Sequence, residues 1–488
     1  MYLQNGTTFN TVTSKGQRGD FVKKLIASIL LTAVTLSSPI VVFANSGPTY
    51  WKGYPSSDIM LIKENCPITV KNENLVFDFS DNNSGYTIDG KVTAAYIMEN
   101  PTDEPLSVQM AFPFVGRVNE LSPDDIAIMA GGNPVPYDLF IGDTVDSYGA
   151  SVEDREASFD FKDIVNTITD EPYKAENFTE KELGKLYMIE VKPTTDQRIN
   201  FAVDFNFDFA KTKVLTYGFN RYERDGKKVR IAAWCYEPEV LAIYVLGEDI
   251  DLKINAYTDG ELSKKTDLFI HQISTKEVEL KPYLMEYIKN HNYRETNNMF
   301  PDTQLYNLYG KALDRHFTSG YSSEHDLLEQ ENYQRILTLV YIVEFPANSE
   351  KEVSVRYRTS GTMDRRETAD PLYTFDYIMN PARNWKDFKN LNIEIIPPQK
   401  APYIVKSSIQ LTKGENNTYT ATLAELPEDD LSFTLYAHEK ITLFDKTFGK
   451  IQQKLGYVVF FAMNAIPFLI IGIIIVMLAI RRKKGKYI

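Results

Sequence analysis

From Asn200 to Phe209 the chain reads NFAVDFNFDF, with phenylalanine alternating against aspartate and asparagine at a period near two. In an extended strand successive side chains point to opposite faces, so this spacing predicts a strand with one buried face. The same alternation recurs at Leu75–Phe79, Val92–Met98, Val229–Trp234, Val353–Tyr357, Leu391–Ile395 and Leu431–Leu435, with turn-forming residues between the runs. The pattern predicts a mainly β protein with two or more antiparallel β-sandwich domains. A helical period appears in two places. Residues 161–185 are polar with short apolar repeats and read as an insertion. Residues 279–331 carry a stronger signal. There Leu284, Tyr287 and Ile288 share one helix face, and Leu305, Leu308, Tyr309, Ala312, Leu313, His316 and Phe317 share another. Pro282 suits a first turn, and Asp302 is placed to cap the second helix.

Both ends of the chain depart from alternation. Tyr457–Ile480 is a run of 24 residues without charge. As a helix it spans roughly 36 Å, more than the roughly 30 Å hydrocarbon core of a bilayer. Arg481, Arg482, Lys483, Lys484 and Lys486 follow at once, and such a cluster holds its side in the cytoplasm. Near the start, Lys23 and Lys24 precede an apolar run ending at Val42-Phe43-Ala44, which suits a signal peptidase. An uncleaved anchor is the alternative, weakened by Pro39 and several Ser/Thr. Initiation at Val22 would give an ordinary signal start. The expectation is a single-pass cell-membrane protein, with residues 45–456 outside the cell and a cytoplasmic C-terminus. Neither an LPxTG-like string before the last apolar segment nor a lipobox cysteine is present. Within the anchor, Asn464 and Pro467 read either as a tolerated kink or as a packing site for a partner helix.

These signals divide the chain into a signal peptide with an extended N-region (1–44), a first sandwich with a polar insert (45–197), a second β domain (198–278), a helical insert (279–334), the second β domain continued (335–448), a transmembrane helix (457–480) and a basic tail (481–488). The net charge of −13 already includes the cations at both ends, so the body between them is more acidic still. That argues against nucleic acid and anionic lipid as partners. It leaves as partners an unknown protein or a cell-wall glycan, with the membrane engaged through the chain's own helix.

Lys91–Tyr137 contains a strand, an Asn-Pro-Thr-Asp turn, a second strand ending in Ala-Phe-Pro-Phe, and later Gly-Gly-Asn-Pro-Val-Pro. This resembles the β-sandwich of the vault protein inter-alpha-trypsin family, in which a strand, an Asn-centred turn and a strand ending in Phe-Pro-Leu occur in that order. The matching residues are turn formers and strand stops, so the resemblance implies a sandwich and brings no catalytic residues. The chain as a whole resembles uncharacterised bacterial membrane-anchored surface proteins. A further local likeness links Tyr96-Ile97-Met98-Glu99-Asn100-Pro101 to Tyr377-Ile378-Met379-Asn380-Pro381.

Catalytic and metal chemistry find little footing. The von Willebrand A motif that often accompanies such sandwiches is approached only by Asp78-Phe79-Ser80-Asp81-Asn82, where Asn replaces the last Ser. None of the five histidines stands three or four residues from another, and no nucleophile elbow or phosphate-binding Gly loop occurs. No catalytic, cofactor-binding or metal residue is assigned, and no cofactor is expected. Cys66 and Cys235, the only cysteines, either close one disulfide across a long loop or remain two buried thiols. In the helical insert, Tyr293, Tyr306, Tyr309 and Tyr321 stand among asparagines, a combination able to stack on and hydrogen-bond sugars; the alternative is aromatic packing of an insert on a sheet. The functional expectation is a non-catalytic surface protein for interaction or assembly. The alternatives are an extracytoplasmic hydrolase or glycan-binding protein, and an accessory subunit of a membrane complex.

Overall fold

The computed structural model describes residues 50–62, 66–81, 84–146, 164–165, 168–291 and 299–450. The terminal apolar segments, the basic tail, Tyr293, Asn464 and Pro467 lie outside them. Among the described residues no helix is long and apolar enough to cross a membrane. The chain is mainly β, in several largely antiparallel sheets.

The N-terminal stretch supplies β1 (Thr69–Asp78), β2 (Asp89–Asn100), β3 (Leu106–Gly116) and β4 (Tyr137–Asp146). The middle supplies β5 (Leu183–Pro193), β6 (Ile199–Asn206), β7 (Thr212–Tyr217), β8 (Lys228–Cys235), β9 (Glu239–Gly247), β10 (Lys253–Tyr257) and β11 (Phe269–Glu279). Helices α1 (Leu280–His291), α2 (Asp302–Phe317) and α3 (Glu324–Leu328) follow. The chain then returns to strand in β12 (Gln334–Phe345), β13 (Ser349–Ser360), β14 (Leu372–Ile378), β15 (Leu391–Ile396) and β16 (Leu431–Tyr436).

Strand pairing draws the domain line elsewhere than the order of elements suggested. β13 pairs antiparallel with β2 along its whole length, from Ser349 opposite Asn100 to Ser360 opposite Asp89. β12 lies between β3 and β4, and β15 runs parallel to β1. One unit is therefore built from residues 50–146 together with 334–436. The expected split between 45–197 and 198–278 plus 335–448 is corrected on this point. β5, expected in the first domain, belongs to the second unit, where it pairs with β9 and β11. The reason is physical: alternation reports that a strand has a buried face, but not which distant strand lies beside it.

The second unit, residues 183–279, is a sandwich. The sheet holding β11, β5, β9 and β7 faces the sheet holding β8, β6 and β10. Phe201, Val203, Phe205, Ile231, Ile243 and Cys235 fill the space between. The first unit, the helices and the outer face of the second unit, with Leu186, Leu215 and Tyr244, share a larger core, in which Phe77 meets Tyr377 and Phe433 edge-on at 5.7 and 5.2 Å. Leu284, Tyr287 and Ile288 of α1 and Leu305, Ala312, Leu313 and Phe317 of α2 are buried in it. Asp302 does not cap α2: Pro301 holds that position without a side-chain bond, and Asp302 instead pairs with Lys289 at 2.8 Å.

Candidate functional site

Two places depart from ordinary β-sandwich packing: a sealed group of acids and tyrosines in the first unit, and an open sheet edge in the second.

The sealed group begins at residues 56–61, where the chain crosses between sheets. Ser56–Ser57 pairs parallel with the end of β14, and Met60–Leu61 pairs antiparallel with β3. Asp58 lies at the crossing with no exposed surface; its amide donates to the Ile378 carbonyl at 3.0 Å. Its Oδ1 accepts from the Ile59 amide at 2.7 Å and from the Tyr96 hydroxyl, while Oδ2 has no partner. Glu73 arrives from the opposite sheet. Strict alternation from Val70 would turn Asn72 inward. A bulge between Val70 and Asn72 inserts one residue, so that Glu73 joins Val70, Leu75 and Phe77 on the core face. Glu73 stands across from Tyr96 in the β1–β2 ladder, and neither of its carboxylate oxygens has a hydrogen bond of ordinary geometry.

Four tyrosines, all buried, complete the group: Tyr96 on β2, Tyr341 on β12, Tyr357 on β13 and Tyr377 on β14. Tyr357 leans toward Ser56 and Tyr377 toward Tyr96. The hydroxyls of Tyr341, Tyr357 and Tyr377 make no hydrogen bond of ordinary geometry. Burial pushes the Asp58 carboxyl up to about 7, against the opposing pull of the Tyr96 and Ile59 hydrogen bonds. Burial first, and the charge of Asp58 second, raise Glu73 well above the usual carboxylate range. Burial also raises all four phenols. At neutral pH and below the group therefore holds protons that two exposed carboxylates would have shed. Paired carboxyls with raised pKa values are the raw material of acid–base catalysis. Here Asp58 and Glu73 are 0% and 1% exposed, so no substrate reaches them. What the group can do is store protons at the join of three sheets. Sequence reading missed both acids. Two signals touch them: the period of Leu75, Phe77 and Phe79, which run back by two residues puts Glu73 on the buried face, and the Tyr-Ile-Met likeness at Tyr96 and Tyr377, whose two tyrosines meet here.

The open edge is β11. All eleven of its residues pair with β5, from Phe269 opposite Pro193 to Glu279 opposite Leu183. Its other edge faces no strand among the described residues. Both faces are largely bare, with Ile270 58% and Ile273 38% exposed. Beside it lies a polar recess of about 460 Å³, bordered by Thr275, Lys276 and Glu277 and by Lys185, whose ammonium pairs with Asp249 at 2.6 Å. Among the described residues no three His, Cys, Asp or Glu side chains are grouped to hold a metal ion.

The expected sugar-binding aromatics do not form a surface. Tyr306 and Tyr309 are fully buried, and the Tyr309 hydroxyl donates to Glu331. Tyr321 is half-buried, stacked on Tyr222 at 4.0 Å with its hydroxyl 2.8 Å from Thr216. Asn307 is spent on the chain itself, accepting from the Tyr173 amide at 2.6 Å and donating to the Glu171 carbonyl at 3.0 Å. Tyr306 and Tyr309 belong to the inner face of α2, and Tyr321 to a short strand paired with β7, so the packing alternative holds for these three tyrosines. Of the two readings of the cysteines, the unbridged one fits the structure. Both cysteines are free thiols. Cys66 packs against the larger core, and Cys235 is buried in the smaller one between the two sheets of the second unit.

No family model matches this chain, and no curated protein is similar to it in sequence. Among solved structures it is similar to a crystal structure from Legionella pneumophila described as a "putative nutrient binding protein", with 10% identity over 84% of this chain and 76% of that one. The TM-score is 0.32, too low for the likeness to carry an argument.

Proposed function

We propose that this chain is a membrane-anchored surface protein whose β body works outside the cell by binding another protein, without catalysis. The apolar run at 457–480 with its basic tail, the signal-like start and the acidic body support the placement. The observation that carries the binding function is the open edge of β11. An eleven-residue edge with both faces bare and isoleucines exposed is the surface to which another strand adds most readily, because main-chain donors and acceptors are already aligned. The Asn100 turn supports the likeness of the first unit to inter-alpha-trypsin sandwiches. Its side chain accepts from the Thr102 amide at 3.0 Å and donates to the Pro346 carbonyl at 3.0 Å, locking the turn.

A photo-crosslinking amino acid placed at Gln272 or Lys276 of the full chain in intact cells tests this reading. Both positions should give a discrete adduct, while Lys413, on a strand of the first unit, should give none. No adduct at either edge position would overturn it.

A further inference from the structure

We infer that the partner of β11 is a second copy of this chain: two β11 edges add antiparallel about a twofold axis through Ser274. The inference rests on the reading of β11 as a binding edge and names what binds there.

Two independent features select the same centre. The first is length. Ser274 is the midpoint of Phe269–Glu279, so a pair centred there continues the ladder through all eleven residues of both strands. The second is charge. Centred on Ser274, His271 lies opposite Glu277, Lys276 opposite Gln272, Ile270 opposite Val278 and Ile273 opposite Thr275, each twice by symmetry, with Phe269 opposite Glu279 at the strand ends. Shifting the centre to Ile273 sets Lys276 against Ile270 and Glu277 against Phe269. A centre at Thr275 sets Ile273 against Glu277, though it keeps a His271–Glu279 pair, and a centre at Lys276 sets the two ammonium groups against each other. Charges on an edge strand ordinarily block pairing. Of these registers, only the central one keeps the full ladder while setting both Lys276 and Glu277 opposite polar partners. Exposure fits as well: residues 270–277 are all exposed in the single chain, so nothing within the described residues must be displaced before the second strand docks.

The test is self-crosslinking of the full chain in detergent or nanodiscs. Residues directly opposite in an antiparallel pair have Cα atoms about 4.5–5.5 Å apart, within disulfide range. Ser274→Cys should therefore oxidise to a species of twice the mass, which the parent chain with Cys66 and Cys235 does not form. Gln272→Cys alone and Lys276→Cys alone should stay single, and the two combined in one chain should crosslink. Glu277→Lys should weaken the dimer at least tenfold by light scattering, and adding His271→Glu should restore it. A chain that is monomeric at every concentration, or that crosslinks through Gln272→Cys alone and not through Ser274→Cys, overturns the inference. An adduct of unrelated mass from the photo-crosslinker at Gln272, with no Ser274→Cys dimer, removes self-association and leaves the binding reading standing. Failure of both removes both.

Discussion

Replacing Asp58 by Asn tests the sealed acid group most directly. The carboxyl moves from 3.8 to about 7 on folding, chiefly through burial, roughly a thousandfold rise in proton affinity worth ~4 kcal/mol. The sign follows from linkage. As pH rises through 3.8 the unfolded chain releases this proton while the folded chain keeps it. Stability therefore falls by about 1.4 kcal/mol per pH unit until the folded group titrates near 7, then levels off. Glu73 is raised as well and pushes in the same direction. Asn keeps the acceptor that Ile59 and Tyr96 use and has no charge to bury. Asp58→Asn should thus match the parent at pH 4 and exceed it by about 2–4 kcal/mol at pH 8, the lower figure allowing for imperfect amide geometry. Urea unfolding at fixed ionic strength, followed by tryptophan fluorescence, reads the difference; Trp385 is buried in the same core. Taking the parent–variant difference at each pH cancels the general effect of the acidic surface. A difference that does not change between pH 4 and pH 8 would refute the reasoning, as would a variant less stable than its parent at pH 8.

Three further outcomes are expected. Alkylation of unfolded, unreduced protein should label both cysteines, whereas in folded protein Cys235, buried with its thiol pushed up to about 12, should resist reagent longer than the half-buried Cys66; a Cys66–Cys235 peptide in a non-reducing map would contradict the two separate cores. Asp314→Ala should cost on the order of 3 kcal/mol and open residues 173–177 to protease, because its carboxylate accepts from the Tyr173 hydroxyl and from the Glu176 and Asn177 amides at 2.7–2.9 Å; a variant as stable and as resistant as the parent would show that these bonds do not hold the segment. Protease added to wall-stripped cells should remove the body and leave a short membrane-bound stub, and full protection would place the body on the other side of the membrane.

The sequence by itself was enough to find most elements and their buried faces. Alternation in Asn200–Phe209 marks β6 and its inward Phe201, Val203 and Phe205, and the 3.6 period marks the faces of α1 and α2. These are local facts, since the side of a strand or helix that must leave water is written in its own residues. Tertiary structure alone decided what those faces met. β2 finds β13 some 250 positions away, and nothing in either strand names the other. The tyrosines of α2 look equally fit for a sugar or a core until a sheet covers them. Glu73 shares the inward period of Leu75 and Phe77, yet its charge reads as a strand-end residue in water until the opposite sheet covers it. Asp58 reads as a loop residue until three sheets close around it. Long-range pairing is chosen by the free energy of the whole assembled core, and a one-residue change of register is enough to move a charge from water to the interior.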